Sequence, residues 1–272
     1  MINLDNKIGI CHWSLPMEGP YGCKLASEIG LDGIQLDIGH SSRGFLLSND
    51  FVQDAYLVLA EKYGISFPSI TIRELDEAAM TKPEGTEERD LMNKALVKTI
   101  DAAEAMNIPM VMIPSFVESE ITNEDEFQEA VSYLQFGCDY ADGKGITIAT
   151  ENTLSVSEIK RLIEEVNRPN IKLYFDSQNH FLHKDYNIAE ILDELIEYVC
   201  QVHVKDGKNK DLSGALLGEG DTGFYDTIEV LKKHDYSGWI VFENYYDREP
   251  LSLQNDNPVE LIKKDLKTVK EV

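Results

Sequence analysis

The chain has 272 residues, enough for one barrel-sized domain or two small ones, and its 43% apolar content can fill one sizeable core. Its 25 basic and 49 acidic residues give 25 − 49 = −24, a charge that repels phosphate backbones and anionic lipid and so argues against nucleic acid and membrane surfaces as partners. No apolar run approaches the roughly 20 residues that span a bilayer, and MINLDNKIGI (1–10) lacks the basic and apolar regions of a signal peptide, so a cytoplasmic protein is expected.

Taken in chain order, strand-like and helix-like stretches alternate. KIGICHW (7–13) is an apolar strand-like run, and Leu25, Ala26 and Ile29 at helical spacing predict a helix over 23–30. GIQLDIG (33–39) predicts a second strand, and the pattern from Phe51 through Ala55, Leu59 and Ala60 predicts a helix over 50–63. FPSITI (67–72) reads as the third strand, followed by a helix over 87–106 that ends in KALVKTIDAAEAM, rich in strong helix formers. After MVMIPSF (110–116), Phe127, Ala130, Val131 and Leu134 share one face of a helix over 123–142. ITIATENT (146–153) precedes a helix over 155–166, which opens with the capping-box pattern Ser155 to Glu158. KLYFDSQN (172–179), VCQVHVKD (199–206) and WIVFENYY (239–246) complete the strands, and 187–198, 223–234 and 258–270 the helices. Gly30, Gly64, Pro109, Gly143, Gly145, Pro169 and Gly238 punctuate the junctions.

Eight β-then-α units in a chain of this length predict an α/β fold, a (β/α)8 TIM barrel, as a single domain over 1–272. The strands are continuously apolar, as expected where helices cover their outer face. A doubly wound open sheet would carry a glycine-rich phosphate turn after its first strand; that position reads CHWSLPMEG. Cys11, Cys23, Cys138 and Cys200 are far apart with no CxxC, which predicts neither disulfides nor a zinc knuckle, and Cys11 and Cys200 read as small buried hydrophobes.

In such a barrel the carboxyl ends of the strands build the site. The fifth to eighth strands end in Glu151, Asp176, His203 and Glu243, one metal-type ligand each at the same height. Three carboxylates meeting at an apolar barrel mouth would repel one another, and a divalent cation removes that penalty. Three oxygen donors and one imidazole suit Mn²⁺ first, with Mg²⁺, Co²⁺ or Zn²⁺ as alternatives. The bland alternative is that each residue makes its own ion pair or caps the next helix.

The order Glu, Asp, His, Glu on strands five to eight resembles the xylose isomerase-like barrels, which include ketose 3-epimerases, hydroxypyruvate isomerase, inosose dehydratase and endonuclease IV. LDGIQL (31–36), YFDSQN (174–179), VHVKDG (202–207) and LGEGDTGF (217–224) are similar to further motifs of that superfamily. The resemblance implies an enzyme of carbohydrate metabolism, a metal-dependent isomerase or epimerase of a ketose, a sugar phosphate or a related hydroxy-ketone. It implies that Asp176 and His203 hold the ion. Glu151 and Glu243 serve both as ligands and as the acid and base of proton transfer through a metal-stabilised enediolate. It also implies a small-molecule sugar substrate and a homodimer or homotetramer. The chain departs from the ketose 3-epimerase pattern at Gln35, Asn179 and Asn209, where those enzymes carry Glu, His and Arg, so the expectation stays at the superfamily level. Endonuclease IV fits worse: the third and fourth strand ends carry no histidine, and the charge is −24.

Candidate substrate-binding residues are Lys205, Asn179, His12 and Trp13. Lys205, two residues after His203 on the same strand face, binds a substrate oxygen or pairs with a carboxylate. Asp206 orients a ligand or ends its strand. His12 and Trp13, at the end of the first strand, form an aromatic wall or a core contact. Gly218 and Gly220 let a loop approach the ligand, with Asp221 or Thr222 capping the next helix. Arg73 binds an anion or pairs with Glu74, and Lys208 and Lys210 leave phosphorylated and free sugars both open. Two other functions compete: an inosose-dehydratase-like lyase using the same metal site, and a non-catalytic sugar-binding barrel.

Overall fold

The computed structural model describes residues 6–272. Eight parallel strands close a barrel in sequence order: β1 Ile8–Cys11, β2 Gly33–Asp37, β3 Ile70–Thr71, β4 Met110–Pro114, β5 Thr147–Glu151, β6 Ile171–Asp176, β7 Val199–Val204 and β8 Ile240–Phe242. The helices between and after them are α1 Gly22–Ile29, α2 Asp50–Tyr63, α3 Glu87–Ala105, α4 Glu124–Tyr140, α5 Val156–Val166, α6 Asn179–Lys184, α7 Ile188–Leu195, α8 Phe224–Lys233 and α9 Pro258–Glu271. No helix among the described residues is long and apolar enough to cross a membrane.

The chain divides into two compact units, with dividing lines inside β2, α2 and β6 and between Ser66 and Phe67. One holds the described residues up to Gln35, Val58–Ser66 and Phe175–Val272; the other holds Leu36–Leu57 and Phe67–Tyr174. In the first, Ile10, Ile34, Val202, Val204, Ile240 and Phe242 are fully buried. In the second, Ile70, Val111, Ile113 and Ile148 are fully buried, as are Leu96 and Ile100 of α3 and Leu134 of α4. Each such side chain contributes about 1.5–3 kcal/mol of burial.

Polar caps close the helix starts. Thr86, Asn123, Asn187 and Asn257 each accept a backbone N–H in the first turn of α3, α4, α7 and α9, and Ser155 with Glu158 forms the reciprocal box of α5.

All eight strands end earlier than their sequence runs predict, and for three of them the local cause is visible. The first run stops at Cys11, and His12–Ser14 forms a 3-10 turn in which Leu15 N donates to His12 O. The third keeps only Ile70–Thr71. Ile34 N bonds Ser66 O and Leu36 N bonds Ser69 O, so one extra residue bulges out beside Pro68, which has no N–H to offer. The sixth ends at Asp176 because its Oδ1 accepts the backbone N–H groups of Gln178 (2.8 Å) and Asn179 (2.6 Å), turning the chain into the short helix α6.

Gly33 opens β2 where no side chain fits. A Cβ there would lie 2.6 Å from Ser66 O and 2.7 Å from the Trp239 ring. Gly33→Ala is expected to lower unfolding free energy by about 1–3 kcal/mol in urea titration. An unchanged midpoint would mean that both the Trp239 ring and the Ser66 backbone give way without cost.

Candidate metal centre and active site

Each ligand-type residue is delivered by its own strand. Glu151 ends β5 and is buried, its carbonyl accepting Ser115 N at 2.8 Å. Asp176 ends β6, and His203 sits within β7 with no exposed surface. Glu243 follows β8, and its N–H donates to Val204 O at 3.1 Å, extending the pairing by one residue. Glu151, Asp176, His203 and Glu243 each offer one ligand atom, and these atoms all lie within 4.8 Å of one another.

Three observations bear on whether a divalent cation suits them. Asp176 Oδ2 is buried and receives no hydrogen bond, although Lys205 Nζ stands 3.2 Å away. His203 Nε2 lies 2.7 Å from Gln35 Oε1, which can only accept, so Nε2 carries a ring proton and, in the neutral ring that ligates metals, Nδ1 carries a lone pair. That Nδ1 is 3.4 Å from Glu243 Oε2, so in the neutral ring two electron-rich atoms face each other. At formal charge, three carboxylates and the Lys205 ammonium sum to −3 + 1 = −2, which one divalent ion neutralises. Buried and uncompensated, such charge is costly. Oxygen donors with one imidazole suit a hard or borderline ion.

Lys205 is buried, and its ammonium pairs with Glu243 Oε2 at 2.6 Å and Asp176 Oδ2 at 3.2 Å. Of its two sequence readings, the carboxylate pairing is the one seen. Its backbone is fixed by Ser177, whose hydroxyl donates to Lys205 O (2.8 Å) and accepts from Lys205 N (3.0 Å).

The other candidate residues fall around this cluster in different ways. Trp13 is half-buried and meets the His203 ring edge-on, with centroids 6.3 Å apart. His12 accepts Gly19 N through Nε2 at 3.1 Å and thereby pins the loop after β1. Asn179 is buried at the start of α6. Arg73 opens a 3-10 turn after β3, its N–H donating to Asp37 Oδ1 at 3.4 Å.

Cys11 corrects one expectation. It is buried, but its thiol donates to Gln35 Oε1 at 3.3 Å and lies 3.4 Å from His203 Nε2, so it is part of the polar surroundings of the site. None of the four cysteines is in a disulfide among the described residues.

The loop after β7 corrects another. Asp206 accepts four donors: Gly207 N (2.9 Å), Gly218 N (2.9 Å), Gly220 N (3.0 Å) and Thr222 Oγ1 (2.7 Å). Gly220 therefore admits the Asp206 carboxylate, which a Cβ there would overlap, while a Cβ on Gly218 would meet the Tyr225 ring at 2.6 Å. Neither Asp221 nor Thr222 caps α8. Thr222 serves Asp206, Asp221 accepts Asn209 N, and the cap position is Gly223, in the left-handed region. Gln178 clamps the same loop, donating to Asp211 O and accepting Ser213 N, both at 2.9 Å.

Asp265 of α9 supports the residues beside Glu243. It accepts Leu217 N (2.9 Å), Asn244 Nδ2 (2.9 Å) and Tyr246 Oη (2.8 Å), while Asn244 Oδ1 accepts Asp206 N (3.1 Å). The sequence signal was an acid among Leu261, Ile262, Leu266 and Val269 on the buried stripe of that helix. Burial pushes the Asp265 carboxyl up to about 7; its three donors oppose the shift, and nearby Asp206 adds to it. A folded pKa above the ordinary 3.8 means that the folded chain keeps a proton which the unfolded chain gives up between about pH 4 and 7. The resulting stabilisation is complete below that window and is lost as pH rises through it. The stability difference between wild type and Asp265→Asn is expected to fall from pH 4 to 7 in urea titrations; a difference flat with pH would mean that Asp265 ionises normally.

With the geometry in hand, the likenesses to known proteins become informative. The sequence profile of the xylose isomerase-like TIM barrel family matches residues 23–272. The chain belongs to that family. This xylose isomerase-like barrel is 28% identical over 227 residues to 2-epi-5-epi-valiolone 7-phosphate 2-epimerase of Actinoplanes sp., covering 83% of this chain and 82% of that one. It is 24% identical to inosose dehydratase of Salmonella agona over 179 residues, 58% of each chain. Its fold matches the crystal structure of D-allulose 3-epimerase from Methylomonas sp. with a TM-score of 0.77 at 20% identity, over 98% of this chain and 97% of that one.

Proposed function

We propose that this barrel is a divalent-metal-dependent isomerase or epimerase of a ketose, a sugar phosphate or a related hydroxy-ketone. The observation that carries the reading is the convergence of Glu151, Asp176, His203 and Glu243 donor atoms within 4.8 Å. The likeness to an epimerase over most of both chains supports the reaction class.

Asp176 and His203 hold the ion, which is Mn²⁺ in our reading. When bound, it supplies Lewis-acid polarisation of two adjacent substrate oxygens. Glu151 and Glu243 do the proton work. One takes the proton from the carbon beside the carbonyl, and the other returns a proton, to the opposite face in an epimerase or to the neighbouring carbon in an isomerase. Lys205 orients Glu243 through its 2.6 Å contact and is our candidate for binding a substrate oxygen. Trp13, half-buried against His203, gives the sugar an apolar wall, and Asn179 and His12 line the substrate side.

The test is turnover in D2O followed by NMR. Manganese-loaded protein is offered ketoses, their phosphates, hydroxypyruvate, 2-epi-5-epi-valiolone 7-phosphate and inososes. Deuterium at an inverted or neighbouring carbon is the expected result, abolished by chelation and restored by Mn²⁺. Loss of water would replace this reading with a lyase, the reaction that the Salmonella relative's name favours. Isomerisation without solvent deuterium would remove the proton-transfer roles of the two glutamates. Absence of turnover across the whole panel would favour a sugar-binding barrel.

A further inference from the structure

The back of the His203 ring is as closely built as its front. Nε2 points at Gln35 Oε1 across 2.7 Å, and the Cys11 thiol donates to that same oxygen at 3.3 Å. All three side chains have no exposed surface, so water does not compete for these bonds. Two donors on one oxygen fix the carboxamide with its oxygen toward the ring. An oxygen that only accepts fixes the proton on Nε2. In the neutral imidazole the opposite nitrogen, Nδ1, is then left as a lone pair toward Glu243 Oε2, 3.4 Å away.

We infer that Gln35 is a positioning residue: it holds His203 as the Nε2–H tautomer with Nδ1 presented to a cation, and it does so without adding charge. This deepens the metal-site reading and rests on it. The chemistry is that of an outer partner which sets both orientation and basicity of a ligating imidazole. A carboxylate at position 35 would perform the same orientation but would take the formal charge from −2 to −3. A neutral amide leaves the site matched to one divalent ion.

The experiment combines imidazole ¹⁵N NMR with calorimetric Mn²⁺ titration of the full chain. In the metal-free wild type, the His203 signals are expected to show Nε2 protonated and Nδ1 bare. Gln35→Met, which keeps the volume but removes the acceptor, is expected to mix the tautomers and weaken Mn²⁺ binding about 10–100-fold. Gln35→Glu is expected to restore the single tautomer and to bind Mn²⁺ about 10-fold more tightly than wild type. An Nδ1-protonated ring in the wild type, or unchanged Mn²⁺ affinity in folded Gln35→Met, overturns the inference. If Gln35→Met does not fold, Gln35→Glu decides: equal affinity in it and wild type overturns the charge argument. Should the wild type bind no Mn²⁺ at all, the metal reading itself fails, and the ring spectrum still judges Gln35.

Discussion

Glu151→Gln and Glu243→Gln are each expected to lower turnover by about 10²–10⁴-fold while the fold survives. The amide keeps the shape and one oxygen donor, so the ion site is only weakened, but it cannot take a proton. Glu243→Gln has a second effect that Glu151→Gln lacks: Lys205 Nζ loses its 2.6 Å carboxylate partner and keeps Asp176 at 3.2 Å. The two variants should therefore differ in substrate affinity as well as in rate. The checks are kcat and KM on the substrate identified by NMR, Mn²⁺ affinity and thermal unfolding. Near-normal kcat in either variant would remove that residue from the acid/base pair.

Asp206→Ala is expected to cost about 3–5 kcal/mol of stability. Its carboxylate serves four donors from a loop with little regular structure of its own, and three of those donors are backbone N–H groups. Each bond to a charged acceptor is worth about 1.5–3 kcal/mol, and the bonds are not additive. Asp206→Asn retains one acceptor oxygen and should lose about half as much. Hydrogen exchange gives the local readout: the amides of Gly218 and Gly220 should lose protection in both variants. Retained protection would mean that the loop is held by other contacts.

Periodicity made the barrel readable because helix and strand repeats are local. The span read as 50–63 coincides with α2, although Phe51 and Ala55 of the predicted apolar face are exposed and Gln53, Tyr56 and Ala60 are the buried residues, and the Ser155–Glu158 box marks the start of α5. Strand ends were less readable, since they depend on where a partner stops offering bonds. Pro68 cuts β3 short, and the Asp176 carboxylate turns β6 into a helix that no apolar repeat announced. The four ligand-type residues could be read from the sequence because each stands at, or one residue from, the carboxyl end of a strand. Gln35 and Asp265 could not, because their meaning comes from partners far along the chain: His203 for one, Asn244 and Tyr246 for the other. Cys11 looked apolar because its neighbours are; only the register of β1 with β2, which sets Cys11 opposite Gln35, gives it a polar task.

The support beneath Glu243 comes from Asp265, in the helix that follows β8. A nascent chain still holding α9 inside the ribosome can pair its earlier strands but cannot lock Asn244 and Tyr246. During synthesis the residues beside Glu243 would thus lack that support until α9 has emerged.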